Sequence, residues 1–280
     1  MKKILLTAII TVFLPNVFTL ATPNHGPVIK AFYAPYGAGS YKVPYDRTIN
    51  GGYSDDNLSD SGDTKENQLK TLEGYSFSCG YFYNWLQGDI TYTAIKTKDQ
   101  YVKEVSTVNS VHYTDASLWN ADARIGYRFD KPGDTSYKWL YLGIRRSHFN
   151  ISFNDTEVNA TGYLAGFYGF HSYGLDWPVE LVFTYEIQAA FFRHNFNHLK
   201  TDIDINENRK KGIDLGLSAG MGIQYEPWDI ALIFKISPFI SEKYYEADYP
   251  GDKKNTRTNM SGSLIGFEII FSIPENKNTD

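Results

Sequence analysis

Gly212-Ile213-Asp214-Leu215-Gly216-Leu217-Ser218-Ala219-Gly220-Met221-Gly222-Ile223-Gln224 alternates strictly. Ile213, Leu215, Leu217, Ala219, Met221 and Ile223 fall on one side, and Asp214, Gly216, Ser218, Gly220, Gly222 and Gln224 on the other. A period of two marks a β-strand with one apolar and one polar face. The polar face is nearly stripped of bulk. A strand washed by bulk water has no reason to shed its side chains, whereas one lining the inside of a narrow barrel does. The apolar face then points outward, which only a lipid surround tolerates.

The same pattern recurs along the chain. In 179–193, Val179, Leu181, Phe183, Tyr185, Ile187, Ala189 and Phe191 oppose Glu180, Thr184, Glu186 and Gln188. In 119–129, Trp119, Ala121, Ala123, Ile125, Tyr127 and Phe129 oppose Asn120, Asp122, Arg124, Gly126 and Arg128. In 75–83, Tyr75, Phe77, Cys79, Tyr81 and Tyr83 oppose Ser76, Ser78 and Gly80. Less pure versions occupy 28–36, 86–96, 138–149, 229–240 and 261–273. Segment 160–170 is strand-like with neither face clearly polar. These make ten candidate strands, each close to the ~9–11 residues that a tilted membrane strand needs.

The connections alternate. Tyr83 to Leu86, Asp130 to Lys138, His171 to Pro178 and Tyr225 to Asp229 are short, and three of them carry Pro or Gly turn signals. Longer polar segments cover 37–67, 97–117, 150–159, 195–211 and 241–259. An even-stranded barrel with both ends on one side of a membrane predicts this alternation.

Composition agrees. Tyrosine (22) and phenylalanine (18) are abundant and methionine (3) is scarce, a bias toward strands and interfacial girdles. Mean hydropathy is negative, as expected where apolar and polar residues alternate. Net charge is −5 without a basic stripe, which argues against nucleic acid. Cys79 is the single cysteine, so no internal disulfide forms. Met1-Lys2-Lys3, the apolar run Ile4 to Leu14 and the Thr19-Leu20-Ala21 site read as a secretory signal. The expected organisation is a signal peptide, 1–21, followed at 22–280 by a closed antiparallel transmembrane β-barrel with five long extracellular loops.

Gly266, Ile269 and Phe271 in the final strand resemble the C-terminal insertion signature of bacterial outer-membrane β-barrel proteins. Leu264 stands where a polar residue is usual, and nine residues follow Phe271. The resemblance implies export to the outer membrane of a Gram-negative bacterium. In strand number, and in the aromatic-to-acidic run from Phe239 to Tyr249, the chain is similar to the omptin proteases. Their chemistry needs an Asp–His pair, and Tyr244-Tyr245-Glu246-Ala247-Asp248-Tyr249 offers no histidine, so the protease motif is not carried over.

The strand faces predict a lumen holding Asp89, Asp122, Glu180, Glu186, Asp214 and Glu268 against Lys30, Lys70, Arg124, Arg128, Arg145 and Lys235. Balanced charge favours a salt-bridged plug over a selective lining, and about 16 strands are needed for a clear aqueous channel. Trp85, Trp139, Trp177 and Trp228 lie in or beside the short turns and are expected to form an interfacial girdle. No catalytic residue, cofactor or metal site is assigned. His194 and His198 with Asp202 and Asp204 are the least implausible hydrolase or metal set. Asp55, Asp56, Asp60 and Asp63 lack the order of a calcium loop.

The expected function is a non-enzymatic surface barrel, a scaffold for exposed loops. A small porin-like channel is the alternative, and a rim hydrolase is a third reading of lower weight. Expected partners are outer-membrane lipid, lipopolysaccharide (through Arg145-Arg146) and an extracellular ligand held by loops 37–67, 195–211 and 241–259.

Overall fold

The computed structural model describes residues 25–42, 70–83, 85–97, 101–105, 109–113, 116–129, 136–151, 156–176, 178–198, 204–205, 211–249 and 252–272. The expected signal segment, Trp177 and the acidic run around Asp55 lie outside them. In chain order the strands are β1 (His25–Lys42), β2 (Lys70–Tyr83), β3 (Leu86–Thr97), β4 (Tyr101–Val105), β5 (Asn109–Tyr113), β6 (Ala116–Arg128) and β7 (Tyr137–Ile151). There follow β8 (Thr156–Asp176), β9 (Val179–His198), β10 (Asp204–Ile205), β11 (Lys211–Tyr225), β12 (Ile230–Tyr249) and β13 (Asp252–Ser272).

Ten of these close a ring in the order β1-β2-β3-β6-β7-β8-β9-β11-β12-β13, every pairing antiparallel. The first and last strands join with Val28 opposite Ser272 and Lys42 opposite Asn259. Closure leaves no free edge among the ring strands, the condition for backbone in hydrocarbon. All ten expected strands are present. Among the described residues no helix is long and apolar enough to cross a membrane.

The seam has one irregularity. Register shifts between Tyr33 and Tyr36, so Ala34 and Pro35 bulge opposite Gly266. Proline has no N–H for the ladder and is tolerated at a bulge. A Cβ on Gly266 would overlap the Tyr33 carbonyl oxygen and crowd the Ala34 Cα at 2.6 Å. Only glycine fits where the bulged backbone comes this close.

The short connections are tight. Arg128 N donates to the Trp85 carbonyl (2.7 Å) and Phe129 N to that of Lys138 (3.0 Å). Between β11 and β12 a 3-10 turn, Glu226–Trp228, leads into Asp229 at φ 49°. Aspartate tolerates this left-handed conformation better than most residues, and Asp229 O accepts from Ser272 N at 3.1 Å.

At the other end the strands run well past the ~9–11 residues a membrane crossing needs. β8 and β13 each have 21 residues, and β12 stays paired with β13 as far as Tyr249 opposite Asp252. Segments 241–259 and 150–159 are therefore largely a β-ribbon and a tight hairpin, where open loops were expected. The reason is physical: polar residues occupy both faces here, so the alternation that marks a membrane strand fades while the pairing continues. β4 and β5 likewise form a small hairpin inside 97–117.

The distribution of polarity inverts that of a soluble protein. Ile90, Ile125 and Leu142 are 69%, 63% and 66% exposed on the outer wall, while Asp122, Arg145, Asp214 and Glu268 are buried. Aromatic rings band the outer face at the short-turn end, with Trp85 stacked on Tyr127 (6.0 Å) and Tyr225 edge-on to Trp228 (5.7 Å). Trp139 does not join that band. It is 1% exposed inside the barrel, 4.5 Å from the ring of Tyr141. Its position two residues below Tyr141 on β7 places it on the inward face, and period-two geometry overrides the preference of indole for an interface.

Candidate functional site

Apolar and charged side chains share the bore. Phe82, Tyr137, Trp139, Tyr168, Phe170 and Val182 pack at the short-turn end in one buried apolar cluster, which continues up β8 and β9 through Leu164, Ala190 and Phe192 to Ala160 and Val158. Toward the long-connection end Leu72, Ile95, Leu118, Phe149, Met260 and Leu264 form another, with Phe239 packed against it. Among them lies a layer of charge.

Two arginines organise that layer. From β6, Arg124 Nε donates to Asp89 Oδ1 on β3 (2.6 Å), Nη2 to Asp89 Oδ2 (3.1 Å) and to Thr91 Oγ1 (2.5 Å), and Nη1 to Glu186 Oε1 on β9 (2.9 Å). From β7, Arg145 forks onto Asp122 (2.8 and 2.7 Å), donates to Gln188 Oε1 (2.8 Å) and lies 3.7 Å from Asp214 on β11. A planar fork that serves two acids suits arginine and not lysine. Each arginine thus ties adjacent strands and also reaches a strand three places further round the ring.

Lysines complete the layer. Lys235 donates to Glu268 at 2.7 Å, and Lys243 to Asp214 at 2.5 Å and Ser241 at 2.9 Å. Lys30 sits over the Tyr168 ring, 3.4 Å from its centroid. Tyr141 donates to Glu186 at 2.8 Å. Arg128 lies lower, over the rings of Tyr137 (4.7 Å) and Phe82 (5.1 Å). Glu180 is half-buried on the same inward face of β9, and its Oε2 has no hydrogen-bond partner among the described residues.

Asp89, Asp122, Arg124, Arg145, Glu186, Asp214, Lys235 and Glu268 therefore meet in one interior layer, with Arg128 and Glu180 nearer the short-turn end. Lys243 was not anticipated: it stands in a segment read as a loop. The signal was present, since Ser241 and Lys243 continue the inward positions of β12 after Phe239. The Lys70 side chain, and those of His194 and His198, are not among the described ones.

The small residues of β11 acquire a reason here. A Cβ on Gly220 would meet Ile233 Cγ2 at 2.5 Å, and one on Gly216 the Gln188 amide at 2.8 Å. Their inward faces are empty because neighbouring strands fill the space. The undecided faces of 160–170 are also settled: Leu164, Tyr168 and Phe170 point inward, and Tyr163 and Ala165 outward.

Of the Arg145-Arg146 pair only Arg146 faces out, at 6.0 Å from the Trp119 ring. His148 stacks on Trp119 at 5.0 Å, with Nδ1 2.8 Å from Asn159 Oδ1. Among the described residues no group of three or more His, Cys, Asp or Glu is placed to hold a metal ion.

No protein-family model matches the chain, and no curated protein sequence matches it. Solved structures with a similar course include outer membrane protein AlkL in DMPC lipid bilayers, at 9% identity and TM-score 0.37, covering 94% of this chain and 96% of that one. The outer membrane protease OmpT from Escherichia coli gives 9% identity and TM-score 0.42, covering 92% and 100%. The beta domain of the Bordetella autotransporter BrkA gives 11% identity and TM-score 0.37, covering 90% and 99%.

Proposed function

We propose that this chain is a non-enzymatic surface protein of the bacterial outer membrane, a sealed barrel that holds exposed segments on a rigid base. One observation carries the reading: ion pairs reach through the bore between strands three apart in the ring, Arg124 to Glu186 and Arg145 to Asp214, and buried apolar clusters pack around them. A buried pair with three or four hydrogen bonds per guanidinium resists opening, because each broken contact strands a charge.

The apolar outer wall and its aromatic band support a bilayer location, and the secretory-signal pattern expected at 1–21 agrees with an outer-membrane destination. In this reading the long connections face outward, and recognition resides in 37–67, 195–211 and the tip of the 241–259 ribbon. Lipopolysaccharide contact then falls to Arg146 on the outer face, since Arg145 is committed inside.

Planar-bilayer recording of the refolded protein tests the sealed bore. The expected result is a silent membrane; stable unitary current steps would return the chain to the porin-like alternative. Detergent-only extraction with heat-modifiable gel mobility tests the membrane location.

A further inference from the structure

A cavity of about 100 Å³ lies in the middle of the bore, and each of the ten ring strands contributes to its lining. The lining has two characters. At the level of the charge layer it presents Lys30, Asn120 and Glu268. Toward the long-connection end it presents Ile95, Leu118 and Leu264, members of the apolar cluster there.

Hydrogen-bond partners are missing at the polar end. Lys30 is 8% exposed, and its ammonium rests over the Tyr168 ring with no oxygen acceptor among the described residues. Asn120 and Glu268 are buried as deeply, and neither Asn120 Oδ1 nor Glu268 Oε2 receives a hydrogen bond among the described residues. One strong donor and two acceptors therefore line a single chamber without reaching one another. Each costs free energy until something fills its site.

The chamber restricts what fills it. Counting Lys30, the five cations of the layer match its five acids. An ion would bring an unpaired charge into a buried neutral layer; an uncharged molecule would not. Water is uncharged, and about 10–15 Å³ accommodates one molecule. Each buried water also needs about two to four polar partners, and Ile95, Leu118 and Leu264 supply none. A cavity of about 150 Å³ holds benzene, so a smaller organic molecule suits this one, with its carbon against the apolar end.

We infer that the bore encloses one small uncharged organic guest, a carboxamide or an alcohol, that both accepts and donates hydrogen bonds. Its oxygen accepts from Lys30, its N–H or O–H donates to Asn120 Oδ1 or Glu268 Oε2, and its carbon end packs on Leu118 and Leu264. The site is axial and needs no opening in the wall. A chain that folds around the guest encloses it, so occupancy is compatible with a bore closed to ions.

The test folds the full chain, isotope-labelled at its lysine ammonium nitrogens, into phosphatidylcholine vesicles in the presence of acetamide labelled at the carbonyl carbon. Flotation recovers the folded chain. Cross-polarised NMR under magic-angle spinning detects only immobilised acetamide, and dipolar coupling of its carbonyl to lysine nitrogen reports where it sits. An immobilised, lysine-coupled signal is expected. Acetate and acetamidinium keep the shape of acetamide and add a negative or a positive charge. Each is expected to give about one tenth of that signal or less, from the cost of an unpaired buried charge.

Lys30→Met removes a hydrogen bond from a charged donor and is expected to lower the immobilised acetamide about tenfold. Ser218→Phe, which fills the chamber from β11, is expected to abolish it. Both variants are scored only as chains that keep the folded gel mobility, and the comparison of acetamide with its charged isosteres needs neither. Absence of immobilised acetamide, immobilised acetamide without lysine coupling, an equal signal from either ion, or Lys30→Met behaving like the unaltered chain would each overturn the site. A chain that does not float overturns the bilayer reading instead, and the site with it.

Discussion

Arg124 Nη1 reaches Glu186 Oε1 at 2.9 Å although β7 and β8 stand between their strands. The same guanidinium is held from the adjacent strand by Asp89, at 2.6 and 3.1 Å. One side chain thus carries a local contact, which sets its direction, and a contact through the bore, which holds β6 and β9 at a fixed distance although two strands separate them. Loss of either acid leaves the other contact under-satisfied. Glu186→Gln and Asp89→Asn are each expected to lower unfolding free energy by about 3–5 kcal/mol. The Arg124→Met/Glu186→Gln double variant should lose clearly less than the sum of its singles, because Asp89 alone, and not Glu186 as well, is then left without its guanidinium. Denaturant unfolding of the refolded barrel measures all four corners of that cycle; strict additivity would separate the two residues energetically.

The outer wall gives the second prediction. Ile125 is 63% exposed and Leu217 51%. In a soluble protein, replacing either with arginine would change stability by about 0.5 kcal/mol or less. Against hydrocarbon the cost is about 2–4 kcal/mol at mid-membrane. Reversible unfolding from vesicles of Ile125→Arg and Leu217→Arg is expected to return the larger figure. Near-neutral values for both would place this face in water.

The strands were legible for a simple reason. Where an apolar outer wall faces a charged bore, as at 119–129 and 179–193, the side chains alternate almost throughout, the breaks at Val182, Ala190 and Phe192 being inward residues packed in the bore. Legibility fails where that contrast vanishes. On β8 the inward face holds Leu164, Tyr168 and Phe170, which pack in the bore, so both faces are apolar and periodicity has nothing to report. On the 241–259 ribbon both faces are polar, and Lys243 was lost with it. Trp139 was misplaced because residue type was weighed above register: an indole near a turn suggests an interface, yet inward parity on β7 fixes it inside. Which acid each arginine reaches across the bore depends on how ten strands close, and no local pattern carries that.

The seam gives the third prediction. Gly266 faces the Ala34–Pro35 bulge, where an added Cβ meets backbone that cannot move aside. Overpacking against backbone costs about 1–3 kcal/mol. Gly266→Ala is expected to weaken the joining of β1 to β13, read as a lower temperature for loss of heat-modifiable gel mobility. Gly174 is the matched control: a Cβ there meets nothing within 4 Å. Gly174→Ala should leave that temperature unchanged, and equal shifts in the two variants would remove the argument from close approach.

Two tryptophans separate the inside from the interface most directly. Trp139 is 1% exposed, with the Arg124 guanidinium 5.4 Å from its ring, whereas Trp228 is 66% exposed at the short-turn end. Brominated acyl chains quench an indole only on near contact, so burial in the bore protects Trp139 while the interfacial ring stays open to lipid. Single-tryptophan proteins, one keeping Trp139 and one keeping Trp228 with phenylalanine at the other positions, are expected to differ sharply in brominated phosphatidylcholine. Trp228 emission should fall and Trp139 emission should hold, and aqueous iodide should also spare Trp139. Truncation tests the packing of the same ring: Trp139→Ala should cost about 3–5 kcal/mol, the loss expected for a large aromatic side chain removed from a filled interior. Strong quenching of Trp139 by the brominated lipid would put that ring on the outer wall, and the inward register of β7 would have to be abandoned along with the contacts of Tyr141 and Arg145.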